Sequence, residues 1–242
     1  MKYFAFASRN RKEVLRDPLT LLFGMGLPVI MICLFSLMQK NMPDALFQIE
    51  NITPGVIVFS FSFITLFSGM LVGKDRSSSF LMRIFASPMS ASDYIIGYAL
   101  PLLPIAALQI AVCLITAFFL GLSIHLNVLV AIILLLMMAL LYIGFGLLLG
   151  TYFTDKQVGG IFAIFVNLSA WLSGTWFALD MIGGAFQSIA YVMPFAHAVD
   201  AARYALAGEY SKAVVPFIWV AGYSVFIFAI AVMSFKKKMK GQ

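Results

Sequence analysis

Six stretches of this chain, residues 19–38, 52–72, 100–121, 126–150, 158–178 and 214–235, contain no Asp, Glu, Lys, Arg or His. About 20 consecutive apolar residues are enough to cross a bilayer as a helix, and each stretch is long enough. With 62% hydrophobic and 11% charged residues and a mean hydropathy of +1.00, the composition lies outside the range of soluble domains. The fold class expected is therefore all-α, a polytopic membrane protein with six transmembrane helices. In 242 residues the spans leave room for their connections, so soluble machinery is expected on another chain. Cys33 and Cys113 both lie inside apolar runs, where a thiol packs as a small hydrophobe; no metal site or disulfide framework follows from them.

Residues 1–18 mix Phe4, Phe6, Val14 and Leu15 with Lys2, Arg9, Arg11, Lys12 and Arg16, the makeup of an amphipathic helix lying in the membrane interface. The first apolar run has no small-residue cleavage site and reads as a retained span, bent at Pro28. In the second, Phe59, Phe63 and Phe67 recur every four residues and share a helix face. Pro101 and Pro104 are expected to kink the start of the third. Gly69 and Gly73, and Gly144, Gly146 and Gly150, allow close helix approach, either within one subunit or at a dimer seam. Asn167 lies in the fifth run, as interhelical glue or as a substrate contact. Residues 179–212 are too polar and too broken by Gly183, Gly184 and Pro194 to cross as one helix, and read as an outer re-entrant helical hairpin.

The largest polar interval, 73–98, holds Lys74, Asp75, Arg76, Arg83 and Asp93 between uncharged runs. Within it Ser77, Ser78 and Ser79 offer N-cap oxygens, and Phe80, Ile84 and Phe85 recur at helical spacing before Pro88. Two readings are open: a loop lying in the headgroups, or a short helix that docks a soluble partner.

With six spans, both termini share a side with the intervals 73–98 and 151–157. That side holds all of the 16 lysines and arginines except Lys40, Arg203 and Lys212. Positive-inside asymmetry then puts both termini in the cytoplasm of a cell-membrane protein, with 179–212 outside. The basic excess reflects topology and anionic lipid, with no call for nucleic acid.

The spans carry no Lys, Arg, Asp, Glu or His, which argues against ion-coupled transport and charged-ring channels. GMLVGKD from Gly69 departs from a P-loop in its glycine spacing, and Asp75 stands where Ser or Thr would bind magnesium. The chain is therefore not expected to be an ATPase or to bind a cofactor itself. Ser173 and His197 raise a rhomboid-like intramembrane serine protease as an alternative, although Trp171 replaces the glycine that pattern has two residues before its serine. An ATP-independent small channel or transporter is the other.

The interval KDRSSSFLMRIFASPMSASDYIIG and the stretch SGTWFALDMIGGAFQSIAYVMPFAHAVDAARYALAG resemble the two signature regions of type-2 permeases of ABC exporters. In the second region Ser173, Gly174, Phe177, Pro194 and the run Asp200 to Arg203 fall where that pattern has them; Ala178 and Lys74 depart from it. The resemblance implies a membrane subunit that pairs with a second permease chain, as homodimer or heterodimer, and docks two cytoplasmic ATPase subunits carrying ATP and Mg. Ser79, Phe80, Arg83, Ile84, Phe85 and Pro88 would then couple to the ATPase, with Asp75 as a rim contact. Phe59, Phe63, Phe67, Phe162, Asn167 and Trp171 would line the path of an amphipathic drug, antibiotic peptide or lipid-like substrate.

Overall fold

A computed structural model describes residues 2–39, 48–78, 80, 89–123 and 125–240. Their regular secondary structure is all helical, with no strand among them. The helices are α1 (Lys2–Leu15), α2 (Pro18–Gln39), α3 (Ile49–Ser77), α4 (Ala91–Ala99), α5 (Leu103–Phe119), α6 (Asn127–Tyr152) and α7 (Asp155–Leu172). They continue as α8 (Leu179–Ile182), α9 (Gly184–Val192), α10 (Pro194–Ala207) and α11 (Tyr210–Lys240). A 3₁₀ turn, Leu100–Leu102, joins α4 to α5.

Among the described residues five helical segments are long and apolar enough to span a membrane: Leu21–Gln39, Ile49–Ser77, Ala91–Phe119, Asn127–Tyr152 and Tyr210–Met239. The fifth expected span, 158–178, is not among them. Its helix α7 has 18 residues, opens on the polar Asp155-Lys156-Gln157 and stops at Leu172, before the turn containing Gly174 at φ 66°. The polar interval is also shorter than its charges suggest. Helix α3 carries Gly73 to Ser77 within its last turns, and the third span begins at Ala91, leaving 78–90 between them. Ser90 and Asp93 form a capping box at the start of α4, and Thr154 and Gln157 another at α7, each satisfying backbone donors that a helix start leaves free.

Helix α3 is the hub and packs against α2, α5, α6, α7 and α10. Its seam with α6 decides between the two readings of the glycines. A Cβ on Gly150 would sit 2.5 Å from the Gly69 carbonyl oxygen, and one on Gly146 would sit 2.2 Å from the Thr65 carbonyl oxygen. Gly73 approaches the backbone of Asp155 equally closely. These spacings serve packing inside the chain, and side chains cross the seam: Thr65 Oγ1 donates to the Tyr142 carbonyl at 2.8 Å.

Two prolines inside spans leave carbonyls without their helical donor, and a buried amide answers each one. Pro28 cannot donate to Gly24, four residues earlier; Gln109 Nε2 of α5 donates there at 2.5 Å. Pro101 cannot donate to Gly97; Asn10 Nδ2 of α1 does so at 3.1 Å. A polar backbone group left unpaired in hydrocarbon costs several kcal/mol on order-of-magnitude grounds, and these contacts remove that cost at both prolines.

Candidate coupling junction and aromatic face

Helix α1 buries Phe6, Ala7, Asn10 and Val14 along one stripe and exposes Phe4, Arg11 and Leu15. The stripe lies on α4, where Gly97 has no side chain to hold Phe6 away: a Cβ there would be 2.5 Å from the Phe6 ring. Phe6 packs edge-on against Tyr94 and Tyr98, with ring centroids 5.7 and 4.8 Å apart.

This docking places Arg9 beside Asp75 near the end of α3. Asp75 is 1% exposed; Arg9 Nη1 donates to its Oδ2 at 2.5 Å and the Tyr98 hydroxyl donates at 2.9 Å. A buried carboxylate persists only with such partners. Burial pulls the Arg9 guanidinium down, but the bond and charge of Asp75 outweigh it and leave the group raised. Just outside, Lys74 bonds Glu13 and holds its carboxyl below the usual range. Arg76 Nη1 donates to the Thr151 carbonyl at 3.2 Å, and Ser77 Oγ reaches Asp155 at 3.3 Å. The end of α3 is thus tied to α1 on one side and to the α6–α7 turn on the other.

Of the expected coupling residues, Phe80 is described. It is half-buried, with the Arg9 guanidinium 4.4 Å above its ring centroid. Ser79, Arg83, Ile84, Phe85 and Pro88 lie outside the described residues. The expectation that Asp75 makes a rim contact with a partner is corrected: its side chain is enclosed by Arg9 and Tyr98. The sequence shows an acid between Lys74 and Arg76 at the end of a long apolar helix, and several arginines in α1, but only proximity identifies the partners.

The expected pathway residues separate into two groups. Phe59, Phe63 and Phe162 form a chain of rings, with centroids 6.4 Å apart for the first pair and 5.6 Å for Phe63 and Phe162. Trp176, which sequence reasoning passed over, joins it at 5.2 Å from Phe59 and stacks on Phe35 at 5.4 Å. Phe67 is buried and fills the space over Gly24. Asn167 and Trp171 face outward on α7, Asn167 bonding the Ala163 carbonyl of its own helix and Trp171 being 61% exposed.

In the 179–212 region, α10 is no loose arm. Phe195, Ala196, Ala198, Ala201, Ala202 and Ala205 are buried, and α10 packs against α3, α6 and α11. Arg203 donates to the carbonyls of Asn51 at 3.0 Å and Gly174 at 3.1 Å, fastening α10 to the start of α3 and to the turn after α7. Burial pushes the Asp200 carboxyl up, against the opposing pull of Arg203 and the Tyr191 hydroxyl that bonds it. Ser173 Oγ bonds the Ala170 carbonyl and Thr175 Oγ1, while His197 Nε2 pairs with the Tyr191 carbonyl; no hydrogen bond joins serine to histidine. The protease alternative therefore has no geometric support.

The family model for ABC-2 type transporters matches residues 1–207. The chain is 30% identical over 212 residues to the chain named as transport permease ycf38 in Pyropia yezoensis, covering 83% of this chain and 72% of that one. Its counterpart in Porphyra purpurea is 28% identical over 228 residues, 89% of this chain and 78% of that one. ABC transporter G family member 20 of Dictyostelium discoideum is 26% identical over 202 residues, which are 79% of this chain but 27% of that much longer protein. A bundle of apolar helices with a docked N-terminal helix, matched over most of its length, belongs to the ABC-2 type transporter family and is a multi-pass membrane subunit of an ABC transporter.

Proposed function

We infer that this chain is the permease of an ATP-driven exporter, pairing with a second permease chain and two cytoplasmic ATPase subunits that bind ATP and Mg. It moves an amphipathic drug, antibiotic peptide or lipid-like cargo outward. In this reading α7 and the turn after it form the fifth of six spans, α1 lies at the inner membrane surface, both termini are cytoplasmic, and α8 to α10 form the outer hairpin. Segment 79–88 is the coupling element.

The observation that carries this reading is the bracing of α3 where segment 79–88 begins. A force applied by a soluble partner is transmitted only if its lever does not slip, and Arg9, Asp75, Tyr98, Arg76 and Ser77 tie the lever's root to four other helices. The ring chain of Phe59, Phe63, Phe162 and Trp176 supplies an apolar face for cargo. Exchanging Ile84 and Phe85 together for glutamate is expected to abolish co-purification of the ATPase while leaving membrane insertion intact. A double variant that still carried its ATPase would remove the coupling assignment.

A further inference from the structure

A groove with a cavity of about 520 Å³ opens between α1, α2 and α5, lined by Arg11, Leu15, Leu21, Leu22, Met25 and Leu108 together with several proline rings. The prolines keep it open: Pro18 starts α2, while Pro101 and Pro104 break the third span into α4 and α5 beside it. Leu15, Leu22 and Leu108 are 58, 65 and 51% exposed, an apolar trough facing away from the bundle.

We propose that this groove seats one acyl chain of an anionic phospholipid, with the Arg11 guanidinium on the lipid phosphate. Arg11 is the one charged residue of the lining. Arg9 on the same helix pairs with Asp75, and Arg16 just beyond its end pairs with Glu13, whereas Arg11 has no hydrogen-bond or ion-pair partner among the described residues. An unpaired guanidinium over an apolar trough matches a phosphate attached to a hydrocarbon chain, whereas a wholly apolar occupant would leave the charge unanswered. On the other side of Arg11 a second cavity of about 230 Å³ is lined by Phe4, Ser8, Leu100 and Pro101 among others. Ser8 lies three residues before Arg11 on the same helix face, so its hydroxyl and the guanidinium meet one headgroup together. The site rests on α1 lying at the membrane surface and is independent of any ATPase.

The test is native mass spectrometry of the full purified chain, without ATPase, after exchange into detergent holding phosphatidylglycerol or phosphatidylcholine with the same acyl chains. The wild type should retain one phosphatidylglycerol, favoured about fivefold over phosphatidylcholine. R11Q should lose that preference and R11K keep part of it, which separates lost charge from a lost fold; L108W, filling the groove, should lower retention of both lipids. An R11Q variant with the wild-type preference, or full displacement of the lipid by inorganic phosphate, would overturn the proposal. Loss of ATPase co-purification in other variants would leave this readout untouched.

Discussion

Asn10 Nδ2 donates at 3.1 Å to the carbonyl of Gly97, the acceptor that Pro101 leaves without its helical donor. The bond links an N-terminal helix to the bend of a span 87 residues later. N10A is expected to destabilise this junction by about 1–3 kcal/mol, the cost of a buried acceptor left unpaired. In a P101A background, where the backbone N–H returns, most of that cost should vanish. Thermal unfolding in detergent and hydrogen exchange of α1 amides measure both. Equal costs in the two backgrounds would separate Asn10 from the proline.

Glycines on α6 and α7 should respond in opposite directions. G150A forces a methyl to within 2.5 Å of the Gly69 carbonyl oxygen and should cost about 1–3 kcal/mol or more, read as lost folded protein in detergent. At Gly160 no atom lies within 4 Å of an added Cβ, so G160A should stabilise the isolated chain by about 0.5–1 kcal/mol through helix propensity. If G160A is stable yet no longer assembles, measured by crosslinking in membranes, the outward face of α7 is a subunit contact.

Trp171 and Trp176 test the aromatic face. W176A removes the ring that Phe35 and Phe59 pack against and should cost about 1–3 kcal/mol, because the ring is partly buried. W171A removes a side chain that is 61% exposed and should leave thermal stability within about 0.5 kcal/mol of wild type. A transport assay then separates them: a selective transport defect in W171A places that residue on the cargo path.

Glu13 gives the α1 junction a pH dependence with a definite sign. Its bond to Lys74 depresses the folded-state pKa, so the stabilisation is fully present above the unfolded value of about 4.3 and is lost as pH falls through the folded value. Protection of α1 amides, taken relative to their intrinsic exchange rate, should therefore fall as the pH is lowered below about 4.3, and E13Q should flatten that fall. Because the Lys74 ammonium is largely exposed, salt should weaken the pair at neutral pH.

Helical class and the multi-pass membrane character were legible from uncharged runs, because hydrocarbon admits little except saturated helices at those lengths. The two signature regions made the family legible as well. Partnerships between distant residues were not. Asp75 reads as a surface charge at a loop edge until α1 is seen lying on α4, and then it is an enclosed carboxylate held by Arg9 and Tyr98. Phe59, Phe63 and Phe67 share a spacing, yet Phe67 turns to cover Gly24 while the other two meet Phe162 and Trp176. Gly69, Gly146 and Gly150 announce a close approach without saying between which helices, and packing chose α3 against α6. Local rules of periodicity, capping and charge act over a few residues, so they define which segments enter the membrane. Which prolines are answered by which amides, and which acid by which arginine, depends on contacts spanning 66 to 87 residues of chain, and those exist only once the helices have packed.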